Sequence, residues 1–139
     1  HDLVAQMPGL KKKYLKYAKY VNQTITDVFT AEQLANAIHL TAYNLASSVL
    51  LNNGDGTFTL KNLPIEAQFS PLYGLIVKDL DNDGNLDILG GGNLHEVKPE
   101  VGRYDASYGL YLKGDGKGNF TALPLRESGL RLEGAVRDI

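Results

Sequence analysis

The run Asp79-Leu80-Asp81-Asn82-Asp83-Gly84-Asn85-Leu86-Asp87 constrains this chain more than any other stretch. Its acids stand at loop positions 1, 3, 5 and 9, and a glycine stands at position 6. So many carboxylates in so short a loop repel one another unless a cation sits among them. Oxygen donors at alternating positions suit a hard ion such as Ca²⁺. A plain β-turn needs one Asp or Asn rather than four spaced acids. The spacing assigns Asp79, Asp81, Asp83 and Asp87 as side-chain ligands and Asn85 as a ligand through its backbone carbonyl. Gly84 permits the positive-φ turn between them.

The loop opens like an EF-hand and closes differently. An EF-hand needs a bidentate Glu at position 12 and helices on both sides. Position 12 here is Gly90, inside Gly90-Gly91-Gly92, which is a poor helix. The flanks, residues 74–78 and 86–89, are short, apolar and β-branched. They predict two strands joined by the acidic turn, with Asp87 in the closing role.

Composition sets outer bounds. The length of 139 residues suits one domain, and the net charge is −2. No basic stripe extends beyond Lys11-Lys12-Lys13, so nothing argues for nucleic acid. No apolar run approaches a membrane span, and no secretory leader pattern opens the sequence. Cysteine is absent, which excludes disulfides and leaves the redox compartment open.

Two zones differ in character. Residues 1–46 read as a helical segment. Tyr14, Leu15, Ala18 and Val21 fall at helical spacing within residues 11–21, with lysines on the other side. The interleaved tyrosines and lysines there fit an amphipathic helix with packed rings and solvated ammoniums. Thr30-Ala31-Glu32-Gln33 is a capping-box pattern that predicts a short helix through Leu34 and Ala37. His39 fits a structural role at the end of a strand or helix.

From residue 47 onward the chain reads as short strands and glycine-rich turns, and it repeats. Leu50-Leu51-Asn52-Asn53-Gly54-Asp55-Gly56-Thr57-Phe58-Thr59 returns as Leu110-Tyr111-Leu112-Lys113-Gly114-Asp115-Gly116-Lys117-Gly118-Asn119-Phe120-Thr121. Each predicts a hairpin turning at Gly-Asp-Gly. Residues 74–80 resemble residues 134–139, again at an offset of about 60. Such a period suits a four-stranded propeller blade. Strands 1 to 4 then lie at about 75–80, 86–89, 108–112 and 119–125. Residues 47–65 would end one blade, 66–125 would form a complete one, and 126–139 would begin the next, with a strand at 131–139. The fold class expected is mainly β, with an α-helical N-terminal segment and antiparallel blades of an incomplete propeller.

Asp-x-Asp-x-Asp-Gly-x-x-Asp between two strands, with a downstream Gly-Asp-Gly hairpin leading to Phe, resembles FG-GAP/VCBS repeats. These build integrin-α-like β-propellers, including bacterial proteins of the ASPIC/UnbV kind. The likeness covers roughly residues 48–139, and residues 63–71 share it. It implies a Ca²⁺-stabilised propeller on secreted or surface-exposed proteins, acting in binding rather than catalysis. Asp79, Asp81, Asp83 and Asp87 take its ligand positions, with Asn85 through its carbonyl. The helical zone stands outside the repeat and would cap one end of the propeller.

Function would then sit at the end of the blade opposite the acidic loop. The connection between strands 2 and 3 carries Asn93, His95, Glu96, Arg103, Tyr104 and Asp105, which makes them candidate ligand-binding residues. The strand 4 to strand 1 junctions add Gln68, Ser70 and Tyr73, then Arg126, Glu127 and Ser128. The expected partner is a protein or a carbohydrate. No nucleophile, base and orienting group occur together, so catalysis is not expected. The alternative is a propeller-based enzyme or carbohydrate-binding domain using the same face. Unpaired terminal strands would also favour edge-to-edge self-association.

Overall fold

The computed structural model describes residues 2–139. Contacts divide the chain into two compact units, one running to Tyr43 and the other covering Asn44–Ile139. Each is described by itself.

The first unit holds four short helices: α1 (Asp2–Gln6), α2 (Leu10–Lys13), α3 (Ile25–Val28) and α4 (Ala31–Ala35). Thr30 and Gln33 form the expected capping box, with Gln33 N donating to Thr30 Oγ1 and Thr30 N donating to Gln33 Oε1. The helix ends at Ala35, before Ala37. The long helix expected over residues 11–21 does not form. Instead α2 stops at Lys13, and a single 3₁₀ turn covers Tyr17–Lys19. Five lysines fall between Lys11 and Lys19 with no acid to pair at i+4, and so short a helix is marginal in water. The break has its own fixings. Lys13 Nζ donates to the carbonyls of Asp27 and Val28 at 2.8 and 2.9 Å, which covers the C-terminal end of α3. Tyr14 packs edge-on against Tyr20. Tyr17 and Leu15, expected to pack, are exposed. His39 lies outside any helix or strand.

The second unit is β-structure. Strands β1 (Ser48–Asn52) and β2 (Phe58–Asn62) form a two-stranded antiparallel hairpin. Strands β3 (Leu72–Lys78), β4 (Asp87–Gly92), β5 (Leu110–Gly114) and β6 (Phe120–Ala122) form a four-stranded antiparallel sheet in sequence order. An open four-stranded antiparallel meander has the strand order of a propeller blade. The fold is mainly antiparallel β with short helices, as the sequence predicts, in the form of an incomplete propeller.

Ile88, Leu110 and Leu112 point to one face of the sheet, and Ala67 packs on them from the 3₁₀ turn Ile65–Gln68. Leu63, Leu72, Phe120 and Ala122 close the cluster. Leu112 is fully buried, and removing such a side chain costs about 3 kcal/mol.

Three local expectations are corrected. Strand 4 is shorter than residues 119–125, because Pro124 starts helix α5 (Leu125–Ser128). Residues 131–139 form no strand. Two isolated backbone bonds, Leu132 N to Tyr108 O and Val136 N to Gly92 O, tie them to the sheet without forming a ladder. The segment instead lays Val136 and Ile139 against Gly91 and Gly74, where an added Cβ would meet them at 2.9 Å. The hairpin turns also repeat in a different register. Phe58 pairs with Asn52, and Phe120 pairs with Gly114. Asn53-Gly54-Asp55-Gly56 therefore corresponds to Asp115-Gly116-Lys117-Gly118, and the positive-φ residues are Gly54 and Gly56, then Gly116 and Gly118. The offset in this pair is two residues longer than Gly-Asp-Gly alone suggested.

Candidate metal centre

The loop between β3 and β4 is shaped by its own acids. Asp83 N donates to Asp79 Oδ1 and Asp81 Oδ1, both at 3.2 Å, and Gly84 N donates to Asp79 Oδ2 at 2.9 Å. Asn85 N donates to Asp83 Oδ1 at 2.9 Å. Two left-handed residues bend the loop, Asn82 at φ 62° and Gly84 at φ 87°. Asn tolerates that conformation through its short polar side chain. Carboxylates bound to the amides of their own turn converge on its inside.

Asp79, Asp81 and Asp87 each bring a carboxylate oxygen within 4.8 Å of the other two. Two oxygens on one Ca²⁺ lie at most roughly 5 Å apart, because each bond is 2.3–2.6 Å. The three donors fit such an ion. Asp83 falls outside the trio. Its carboxylate lies 3.0 Å from Lys113 Nζ, and that ammonium also pairs with Asp81 Oδ2. Asn85 turns its side chain toward Gly116 in the facing hairpin.

Asp87 is fully buried at the start of β4. Gly114 N donates to its Oδ1 at 2.9 Å, and Leu80 N and the Tyr111 hydroxyl donate to its Oδ2 at 3.1 and 3.0 Å. Burial works against ionisation, but these donors outweigh it and hold the carboxyl below its ordinary value. Burial and the neighbouring Asp87 push the Tyr111 hydroxyl up to about 12, so it stays protonated and donates. Gly114 makes this geometry possible. A Cβ there would sit 2.1 Å from the Leu86 carbonyl, so only glycine brings the β5 amide to Asp87. The sequence did not mark Tyr111, Lys113 or Gly114 as parts of this site. Their one signal was that they lie on the strand next to β4.

The opposite end of the sheet holds the other candidate residues. Asn93 is 3% exposed and sits at φ 74°. Its Oδ1 accepts from Ser70 Oγ and Ser107 N, and its Nδ2 donates to the carbonyls of Ser107 and Gly134. It joins three segments of chain. The one Ser70 hydroxyl proton is shared between Asn93 Oδ1 and the Tyr104 carbonyl, and Gln68 is bonded to Ser47 and Leu63. Tyr73 stacks under Arg137 at 4.2 Å. These side chains hold the scaffold. A cavity of about 260 Å³ opens beside Asn93, and His95, Asp105, Tyr108, Arg131 and Glu133 line it. Arg131 pairs with Glu133 at 2.6 Å and lies over the Tyr108 ring. Glu96, Arg103 and Tyr104 do not line this cavity. Arg126 pairs with Glu127, away from it.

Residues 24–90 match the family model of the FG-GAP-like repeat. That stretch is thus similar to an FG-GAP-like repeat, the family its acidic loop suggested. The match takes in α3, α4, the β1–β2 hairpin, β3, the acidic loop and most of β4. It takes in residues 24–46, part of the helical zone expected to stand outside the repeat, and ends before β5. No curated protein and no solved structure matches the chain significantly. Among the described residues, no helix is long and apolar enough to cross a membrane.

Proposed function

We propose that this chain contributes a calcium-stabilised blade to a non-catalytic binding propeller on a secreted or surface-exposed protein. The observation that carries this reading is the convergence of Asp79, Asp81 and Asp87 at the turn between the first two strands of a four-stranded sheet. The ion is structural in this account. It would neutralise the acids of the β3–β4 turn and fasten that turn to β5 through Asp87. A ligand that binds only the folded state stabilises it by mass action. Calorimetric titration with Ca²⁺ and with Mg²⁺ tests the assignment. Ca²⁺ binding that disappears in Asp79→Ala is expected, and a preference for Mg²⁺ would overturn it. The extracellular placement rests on the family resemblance.

A second reading has its own observation. The cavity beside Asn93 mixes both charges with one aromatic face, which suits a small hydroxylated ligand such as a sugar. A glycan-binding screen tests it, and hydrolysis of a bound glycan would move the reading from binding module to enzyme.

A further inference from the structure

We infer that Lys113 is a competing cation built into the acidic loop, which lowers its affinity for Ca²⁺ and supplies counter-charge when calcium is scarce. The inference rests on the calcium reading above. Lys113 belongs to β5 and not to the loop. It lies in register with Thr121, and its strand position aims the ammonium across β4 at Asp81 and Asp83. Asp81 also belongs to the trio that fits an ion. An ammonium and a divalent ion on one carboxylate repel each other, and both are attracted to the same acids. Asp83, a ligand position in the sequence, is the carboxylate that Lys113 draws out of the trio.

The position is free to be something else. The equivalent residue of the other hairpin is Leu51, which pairs with Thr59 as Lys113 pairs with Thr121. The scaffold therefore does not require a lysine there. The pair is also accessible: the Lys113 side chain is 41% exposed and that of Asp81 32%. An ammonium in that setting can swing into water when an ion takes its place.

Calcium titration of the whole chain, as wild type, Lys113→Met and Lys113→Arg, tests this. The Met variant should bind Ca²⁺ about tenfold more tightly, and Arg should stay near wild type. The gap should narrow at high salt, where exposed charges are screened. In chelator, the Met variant should unfold at a lower temperature than wild type. Lys113→Gln replaces it if the Met variant does not fold. Equal or weaker calcium binding by the neutral variant, with wild type still binding, overturns the competition alone. No binding by any variant overturns the calcium reading and the competition with it.

Discussion

The Asp87 carboxylate has about four lone-pair directions, and Gly114, Leu80 and Tyr111 take three of them. One remains for an ion. Asp87→Asn would set an amide donor against one of these donors and remove the charge. It should destabilise the protein by about 2 kcal/mol in urea denaturation even in chelator, because the lost bonds are charge-assisted. Asn93 does similar work at the far end. Asn93→Ala leaves the Ser107 amide and two carbonyls short of a partner, and should cost about 2–3 kcal/mol by the same measurement. A ligand role for Asn93 alone would leave stability unchanged. The convergence of Asp79, Asp81 and Asp87 was legible in the sequence because an acidic loop is a local pattern. Lys113 was not, because it comes from a neighbouring strand 32 residues away from Asp81. Asn93 was legible as a candidate ligand residue, but its burial was not, because burial is a property of the assembled sheet.

At the scale of elements, the β5–β6 hairpin sets Tyr111, Lys113 and Gly114 beside the acidic loop and repeats the form of the β1–β2 hairpin. Gly114→Ala should cost more than about 2 kcal/mol, since the new methyl meets backbone rather than a flexible side chain. The turn has a pH signature. Bonds from the Asn119 side chain, Asn119 N and Lys117 N hold the Asp115 carboxyl down at about 2. Its contribution to the hairpin is complete above the ordinary carboxyl value of 3.8 and is lost as pH falls through about 2. A carbon-detected NMR titration of Asp115 reads this directly, and titration at the ordinary value would contradict the turn geometry. Strand positions were visible in the sequence because β-branched, apolar runs alternate with turns. The turn register was not, because Gly-x-Gly occurs at two adjacent offsets in residues 114–118, and only the pairing of Phe120 with Gly114 selects one. The helix over residues 11–21 failed for a related reason. Periodicity shows which face a helix would bury, but it does not supply the partner needed to hold unpaired lysines in line.

At the scale of the molecule, two open sheets present free edges and apolar side chains. Leu50, Phe58 and Leu60 lie on one face of the hairpin at 64, 61 and 52% exposure. Exposed strands of this kind pair with other chains. Sedimentation should therefore show concentration-dependent self-association that Leu50→Lys weakens, and a monomer at all concentrations would contradict it. In the proposed function, calcium and the blade form one cooperative unit. Thermal unfolding in saturating Ca²⁺ and in chelator tests that most directly, on the wild type and on Asp81→Ala/Asp83→Ala. The wild-type midpoint should rise by roughly 5 °C or more with calcium while the double variant does not respond. A wild-type midpoint that calcium leaves unmoved would contradict the account.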